Sequence, residues 1–485
     1  MHLFELRLVD LRKIVKDLKP SNASGVDSIN SRVIKDCMPQ IEDCLLHMVN
    51  LSLGTGVFPA SLKIAKIIPL LKPGKDPMDQ ASNRPISNLS ILGKILEKAG
   101  FSQIMEHINH NRLINDRHHG GRKGHSTSTC VLEVLNEVNK AKEKKLLTGI
   151  LSIDMSAAYD LVDHNILILK LKNEMNLAPH TLLWVQDFLK QRTQRVEICG
   201  KLSSSLESGE QGIVQGGSSS GDLFIIYMNE IPNCNPLPDC ERPDANTSQY
   251  VDDINMVAYG KTKKLLKLAL QRCYDNMERI LSDHRMVING GKTQLMIITN
   301  KKDLKSITIL AGGQNIVHQE NLRILGLTLS ASQKFDTHIT EEKTSLVNSV
   351  YRQMSILKNI QKFVNKSTLA TIGASLIGST ISYGAPVWSQ TSNRNIEALQ
   401  IAQTKAARLV DGIKWKNQGK RDHRQDVFNN LGWKNVKQII VSANLNLLKQ
   451  ASESKSSKSV NQMFRQSIQK HNRGLEVIRM DFNGN

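Results

Sequence analysis

Aromatic residues are scarce in this 485-residue chain, at 4% of positions, so its core has to be built from aliphatic packing. Seven cysteines stand at 37, 44, 130, 199, 234, 240 and 273, none of them in a Cys-x2-Cys pair. That odd, scattered set fits neither a disulfide framework nor a zinc site and points to reduced intracellular thiols. No apolar run approaches membrane-spanning length, and the start MHLFELRLVD lacks the apolar core of a secretory signal. No internal repeat is evident. A soluble, intracellular protein with no membrane partner is expected.

Negative charge is the other shortage. Against 64 Lys and Arg the chain has only 45 Asp and Glu, a net charge of +19. From 351 to 485 there are 21 Lys and Arg against 7 Asp and Glu, so +14 of the +19 lies there and +5 in the first 350 residues. A basic excess gathered in one region is the electrostatic footprint of a phosphate-backbone binder. With 40% hydrophobic and 22% charged residues, the chain has apolar surface enough to bury a core and is not of disordered composition.

Periodicity places the elements. Leu11, Ile14, Val15 and Leu18 share a helix face that ends near Pro20. Another helix covers about 91–109. Leu147 to Ile153 reads as a buried strand running into Asp154, and helical spacing resumes over about 165–191. A Gly- and Ser-rich cluster at 216–221 precedes an apolar helix, Leu223 to Met228. Short strands flank Asp252-Asp253, a helix runs from Lys263 to about Asp283, and a strand from Gln294 to Thr299. Beyond 340 the pattern is helical and basic, with a Ser- and Lys-rich loop at 452–458.

An acidic pair at a hairpin tip, with a third carboxylate ending another strand, has a chemical use. Asp252, Asp253 and Asp154 repel one another unless cations lie between them, and hard oxygen donors select Mg²⁺. Two such ions, about 3.5–4 Å apart, stabilise the attacking and leaving oxygens of a phosphoryl transfer. Taken alone, Asp-Asp is an ordinary acidic turn. The ordered motifs around it decide the reading.

Those motifs run in order: Ala23-Ser24-Gly25-Val26-Asp27; Phe58-Pro59 through Lys72-Pro73-Gly74-Lys75; Asn83-Arg84-Pro85-Ile86-Ser87; Gly120-Gly121-Arg122-Lys123-Gly124-His125-Ser126-Thr127; Asp154-Met155-Ser156-Ala157-Ala158-Tyr159-Asp160; Val214-Gln215-Gly216; Tyr250-Val251-Asp252-Asp253; Asn289-Gly290-Gly291-Lys292-Thr293; Leu325-Gly326-Leu327; Tyr383-Gly384-Ala385-Pro386-Val387-Trp388; and Leu431-Gly432-Trp433. From about 10 to about 450 this series resembles the reverse transcriptase of non-LTR (LINE-type) retrotransposons, and it looks closest to the jockey-like ones.

The resemblance implies an α+β right-hand polymerase. Fingers and an N-terminal extension would span 1–145, a palm with a ferredoxin-like antiparallel sheet 146–335, a helical thumb 336–425, and a basic C-terminal segment 426–485. It implies RNA-directed DNA synthesis onto a primer 3′-hydroxyl with two Mg²⁺ ions, which Mn²⁺ would replace. Partners would be an RNA template, a DNA primer, their hybrid and dNTPs, in a ribonucleoprotein of nucleus and cytoplasm. Asp154 and Asp252 would bridge both metals, Asp253 would support them, and the Met155 carbonyl would be a further ligand. Lys292 would protonate departing pyrophosphate as a general acid. Lys72 and Arg84 would hold phosphates, Ala157 and Ala158 would offer amides to the triphosphate, Tyr159 would face the incoming sugar, and Gln215 would lie against nucleotide and template. Asp160 and Asp163 are expected in structural salt bridges, and Trp388, Trp415 and Trp433 in packing.

Three positions depart from the family pattern. Val214 replaces a usual proline in a loop richer in Gly and Ser than expected, Gly121 stands at a usual phenylalanine, and His118 at a usual glutamine. A floppier loop at 214–221 is expected from that. The competing reading is a catalytically impaired remnant that only binds RNA or DNA. No endonuclease domain, RNase H domain or Cys/His knuckle is found, so DNA nicking in cis is not expected.

Overall fold

In the computed structural model, residues 1–72, 74–207, 209–233, 245–413, 424–453 and 455–470 are described. Helices and sheets are mixed throughout, an α+β arrangement. The chain forms two compact units, 1–121 with 155–233 and 277–288, and 122–154 with 234–276 and 289–485. Among the described residues no helix is long and apolar enough to cross a membrane.

In the first unit, Ile64–Leu71 and Asn83–Leu89 form an antiparallel hairpin, and Thr193–Ile198 adds parallel to the first of them. The expected helix at 165–191 is two, His164–Asn173 and Pro179–Leu189. The break follows from Pro179, whose ring cannot continue a helix but suits its first turn. The few aromatics are concentrated here: Trp184 and Phe188 pack with Phe58 and Phe101. Gly100 lets the Trp184 ring in, because a Cβ there would stand 2.4 Å from it. The Leu8–Lys16 helix buries Leu11 and Val15, as the sequence spacing required.

The second unit carries an antiparallel four-stranded sheet in the order Gln294–Ile297, Leu147–Ile153, Asp253–Gly260, Ala245–Tyr250. Ile150, Val257 and Met296 on this sheet share one core with Val131, Val134 and Val138 of the Thr127–Glu143 helix. The same core continues through helices Leu346–Ile360, Lys366–Ser382, Asn393–Asp411 and Val436–Ser452. Their starts are set by side chains: Asn365 accepts from the Thr368 amide, and Asn435 forms a capping box with Gln438. Trp388 and Trp433 are buried, donating to the carbonyls of Tyr383 and Ala370. Trp415 lies outside the described residues.

Candidate active site

The sheet register assembles the acidic cluster. Ile153 pairs with Ile254, so Asp154, one residue on, leaves its strand beside Asp253. Tyr250 pairs with Asp253 across a two-residue turn of Val251 and Asp252. Val251 has φ +57°, a left-handed conformation rare for a β-branched residue and costing on the order of 1–3 kcal/mol. Gln249, fully buried, donates to the Val251 carbonyl at 2.7 Å and holds the tip in place. The sequence reading had overlooked that glutamine.

Charge crowding is visible in the carboxyls. Burial, and then the charges of Asp252 and Asp154, push Asp253 up to about 6. Burial also raises Asp252; its own backbone amide and Lys292 oppose this, and Asp154 adds to it. Beneath them the buried Cys130 thiol is pushed well up by desolvation, with Glu133 and Asp253 adding. Lys292 Nζ stands 3.0 Å from Asp154 Oδ2, at ion-pair distance but not aligned as a hydrogen bond. The Asn289 amide donates to the Asp154 carbonyl at 2.8 Å, which carries the Lys292 turn to this strand end.

Among the described residues no three His, Cys, Asp or Glu side chains form a ready-made metal cage. The donors are nevertheless hard oxygens, and their mutual repulsion, with an ammonium drawn to Asp154, is what a bound divalent cation would relieve. In charge and donor type the residues fit such an ion.

The other candidates belong to the first unit. Met155 is buried, and its short strand pairs with Val287–Ile288. Ala157 and Ala158 lie in a turn, with Ala157 at φ +48°, and the helix begins only at His164. Their amides are therefore not at a helix N-terminus, contrary to the expected turn into a helix. Tyr159 stacks on Phe224, centroids 4.9 Å apart, and its carbonyl accepts from the Ile213 amide at 2.9 Å. Gln215 Nε2 donates to Asp160 at 3.2 Å, and the Gln215 carbonyl accepts from Ser87 on the hairpin. Asp160 thus orients an amide; Asp163 does make an ion pair, with Arg285, and caps the following helix. Arg84 is exposed on the same hairpin, opposite Leu70, and Lys72 follows the neighbouring strand.

The Gly/Ser loop is tied down, not floppy. Glu97, only 1% exposed, accepts from the Ser218 amide at 3.0 Å and the Ser218 hydroxyl at 2.6 Å. Ser220 Oγ donates to the Val214 carbonyl at 2.7 Å. Gly216 has φ +110° and a Cβ there would lie 2.8 Å from the Ser87 carbonyl oxygen, so only glycine fits. At Gly121, φ is +63° and Ile225 closes the space a side chain would use. In the second unit, Tyr383 donates to the Leu325 carbonyl at 2.6 Å, bracing the Leu325-Gly326 turn.

Comparison with known proteins now bears on this arrangement. The family pattern described as reverse transcriptase (RNA-dependent DNA polymerase) matches residues 71–329. The RNA-directed DNA polymerase from mobile element jockey of Drosophila funebris is 28% identical over 409 residues, covering 84% of this chain and 44% of that protein. Its Drosophila melanogaster counterpart is 26% identical, covering 85% and 44%. The chain thus spans less than half the length of these relatives. Apo telomerase from Candida tropicalis aligns over 90% of this chain and 71% of that one, with 14% identity and a TM-score of 0.43, a likeness too loose to place any residue.

Proposed function

This chain belongs to the reverse transcriptase (RNA-dependent DNA polymerase) family, of the jockey-like non-LTR type, and we propose on that premise that it copies RNA into DNA from a primer 3′-hydroxyl. The observation that carries the reading is the convergence of Asp154, Asp252 and Asp253 at one sheet end, with Lys292 beside them. On this reading the four-stranded sheet is the palm, the Ile64–Leu71 hairpin with its partner belongs to the fingers, and the helices beyond 345 form the thumb. The basic excess beyond 350 would track an RNA–DNA hybrid, in a ribonucleoprotein of nucleus and cytoplasm.

Asp154, Asp252 and Asp253, with the Met155 carbonyl, would hold two Mg²⁺ ions. Bound there, the ions would supply a more acidic primer hydroxyl and charge neutralisation on the triphosphate. The chain's own groups do the rest. Arg84 and Lys72 grip phosphate oxygens, Arg84 through its planar fork. Ala157 and Ala158 offer amides, Tyr159 bars a 2′-hydroxyl, and Gln215 positions the nucleotide. Lys292 gives a proton to the departing pyrophosphate.

The experiment is primer extension on an RNA template with dNTPs and Mg²⁺. Asp252→Asn is expected to cut synthesis at least about 10³-fold, roughly 4 kcal/mol of barrier, while template binding persists. Absence of extension with either Mg²⁺ or Mn²⁺, in a folded sample that binds template, would sink the proposal and leave an RNA-binding remnant.

A further inference from the structure

A cavity of about 320 Å³ lies within the first unit, beside Gln215 and apart from the acidic cluster's own strands. That is the lower end of the range for small-ligand pockets, roughly 300–1,000 Å³. Its walls are partly apolar, with Ile67, Leu189 and Val214 among them. Set into it is Arg192, 4% exposed. Arg192 Nη1 donates to the Phe188 carbonyl at 3.0 Å, and the guanidinium lies 4.9 Å from the Phe188 ring. Its Nε has no hydrogen-bond partner among the described residues. A buried guanidinium with an unused donor is costly unless something completes it.

The lining says what kind of group completes it. Glu97 lies in the electrostatic reach of Arg192, and the exposed carboxylates Asp160 and Glu207 line the mouth. His164, also in the lining, has Nε2 engaged with the Gly212 carbonyl at 2.8 Å. One guanidinium facing several carboxylates does not favour a bare phosphate. A neutral planar ligand with acceptors on one edge and donors on another satisfies both signs of group, and apolar walls suit its faces. Guanine has that pattern: O6 and N7 accept from an arginine fork, while N1–H and the 2-amino group donate to a carboxylate.

We propose that this cavity takes one unstacked guanine base, held by Arg192 on its O6/N7 edge and by Asp160 or Glu207 on its N1/N2 edge. The inference rests on the reading of the chain as an RNA-copying enzyme, whose single-stranded template ahead of the primer end would supply such bases.

The test uses the full chain on primed RNA templates whose single-stranded stretch carries one guanine, moved position by position, with binding read by fluorescence anisotropy. At one position guanine is expected to bind about tenfold tighter than 7-deazaguanine or adenine, within the roughly 1–3 kcal/mol of a bidentate pair. Arg192→Lys keeps the charge, loses the fork, and is expected to bring guanine to the adenine affinity. GMP added to a guanine-free template separates the sources: Arg192-dependent GMP binding shows that a free guanine nucleotide also enters, and its absence restricts the pocket to template guanine. Equal affinity for guanine and 7-deazaguanine at every position overturns the proposal, whether or not the variant folds. So does displacement of the guanine-dependent binding by inorganic phosphate as readily as by GMP. Primer extension on the guanine-free template is the separate control. Its failure sinks the polymerase reading, whereas success without a guanine preference sinks only the pocket.

Discussion

The hydroxyl of Ser218 donates to Glu97 Oε2 at 2.6 Å, and the Ser218 amide reaches the same oxygen at 3.0 Å. Both ends of this contact lie in the first unit, so a carboxylate on the Ile91–His110 helix sets the loop that carries Gln215. Hydrogen bonds to a charged acceptor contribute about 1.5–3 kcal/mol. Glu97→Ala is therefore expected to raise KM for dNTP roughly tenfold to a hundredfold with a smaller change in kcat. Glu97→Gln keeps an acceptor and is expected to recover part of that loss. Steady-state primer extension reads both. An unchanged KM in the alanine variant, at whatever thermal stability, would show that the loop holds itself.

Lys292 and Asp154 offer a second test. If Lys292 gives its proton to pyrophosphate, Lys292→Ala should lower kcat by about 10²–10⁴. Lys292→Arg keeps a cation 3.0 Å-scale partner for Asp154 but holds its proton too tightly to donate it. The arginine variant should then fold and bind template normally yet stay slow. Recovery of kcat by arginine would make Lys292 a charge-balancing residue instead.

The raised carboxyl of Asp253 has a defined pH consequence. Its folded value, about 6, exceeds the ordinary aspartate value of about 3.9. Without a cation, the folded protein holds this proton more tightly than the unfolded chain. Its stabilising contribution is full below about pH 4 and is lost as pH rises through about 6. A divalent cation needs the ionised form, so protons compete with it below about pH 6. The Mg²⁺ concentration for half-maximal extension should rise up to about tenfold per pH unit there, and level off above about pH 7. A requirement for Mg²⁺ that stays constant between about pH 5 and 7 would contradict this.

Much of this site was legible because its signals are local. The alternation around Asp252-Asp253, and the apolar run into Asp154, name strand ends, and the register of Ile153 with Ile254 then follows. Glu97 was not legible. It sits 121 residues from Ser218, in a helix whose sequence reads as simple core packing. Arg192 was missed for the same reason, since burial of a single arginine leaves no periodic trace. The Gly/Ser loop misled in the other direction. Glycine content suggests freedom, but Gly216 is required by its left-handed φ and by the Ser87 carbonyl against it. The helix break at Pro179 was readable from chemistry alone, and spacing hid it.

Tyr159 supplies the last prediction. Its ring stacks on Phe224 at 4.9 Å and 14°, a contact of about 0.5–1.5 kcal/mol that fixes where the ring points. A fixed ring excludes a 2′-hydroxyl by bulk, so the phenol oxygen should be dispensable. Tyr159→Phe is then expected to keep its preference for dNTPs over rNTPs, and Tyr159→Val to lose at least about tenfold of it, roughly 1.4 kcal/mol. Phe224→Ala, which leaves Tyr159 in place but removes its support, should fall between the two. Single-nucleotide incorporation with paired dNTP and rNTP measures all three. If Tyr159→Val discriminates as well as the unaltered protein, the ring is a packing residue and sugar selection resides elsewhere. An intermediate Phe224→Ala would show that selection depends on how firmly the ring is held, and not on its presence alone.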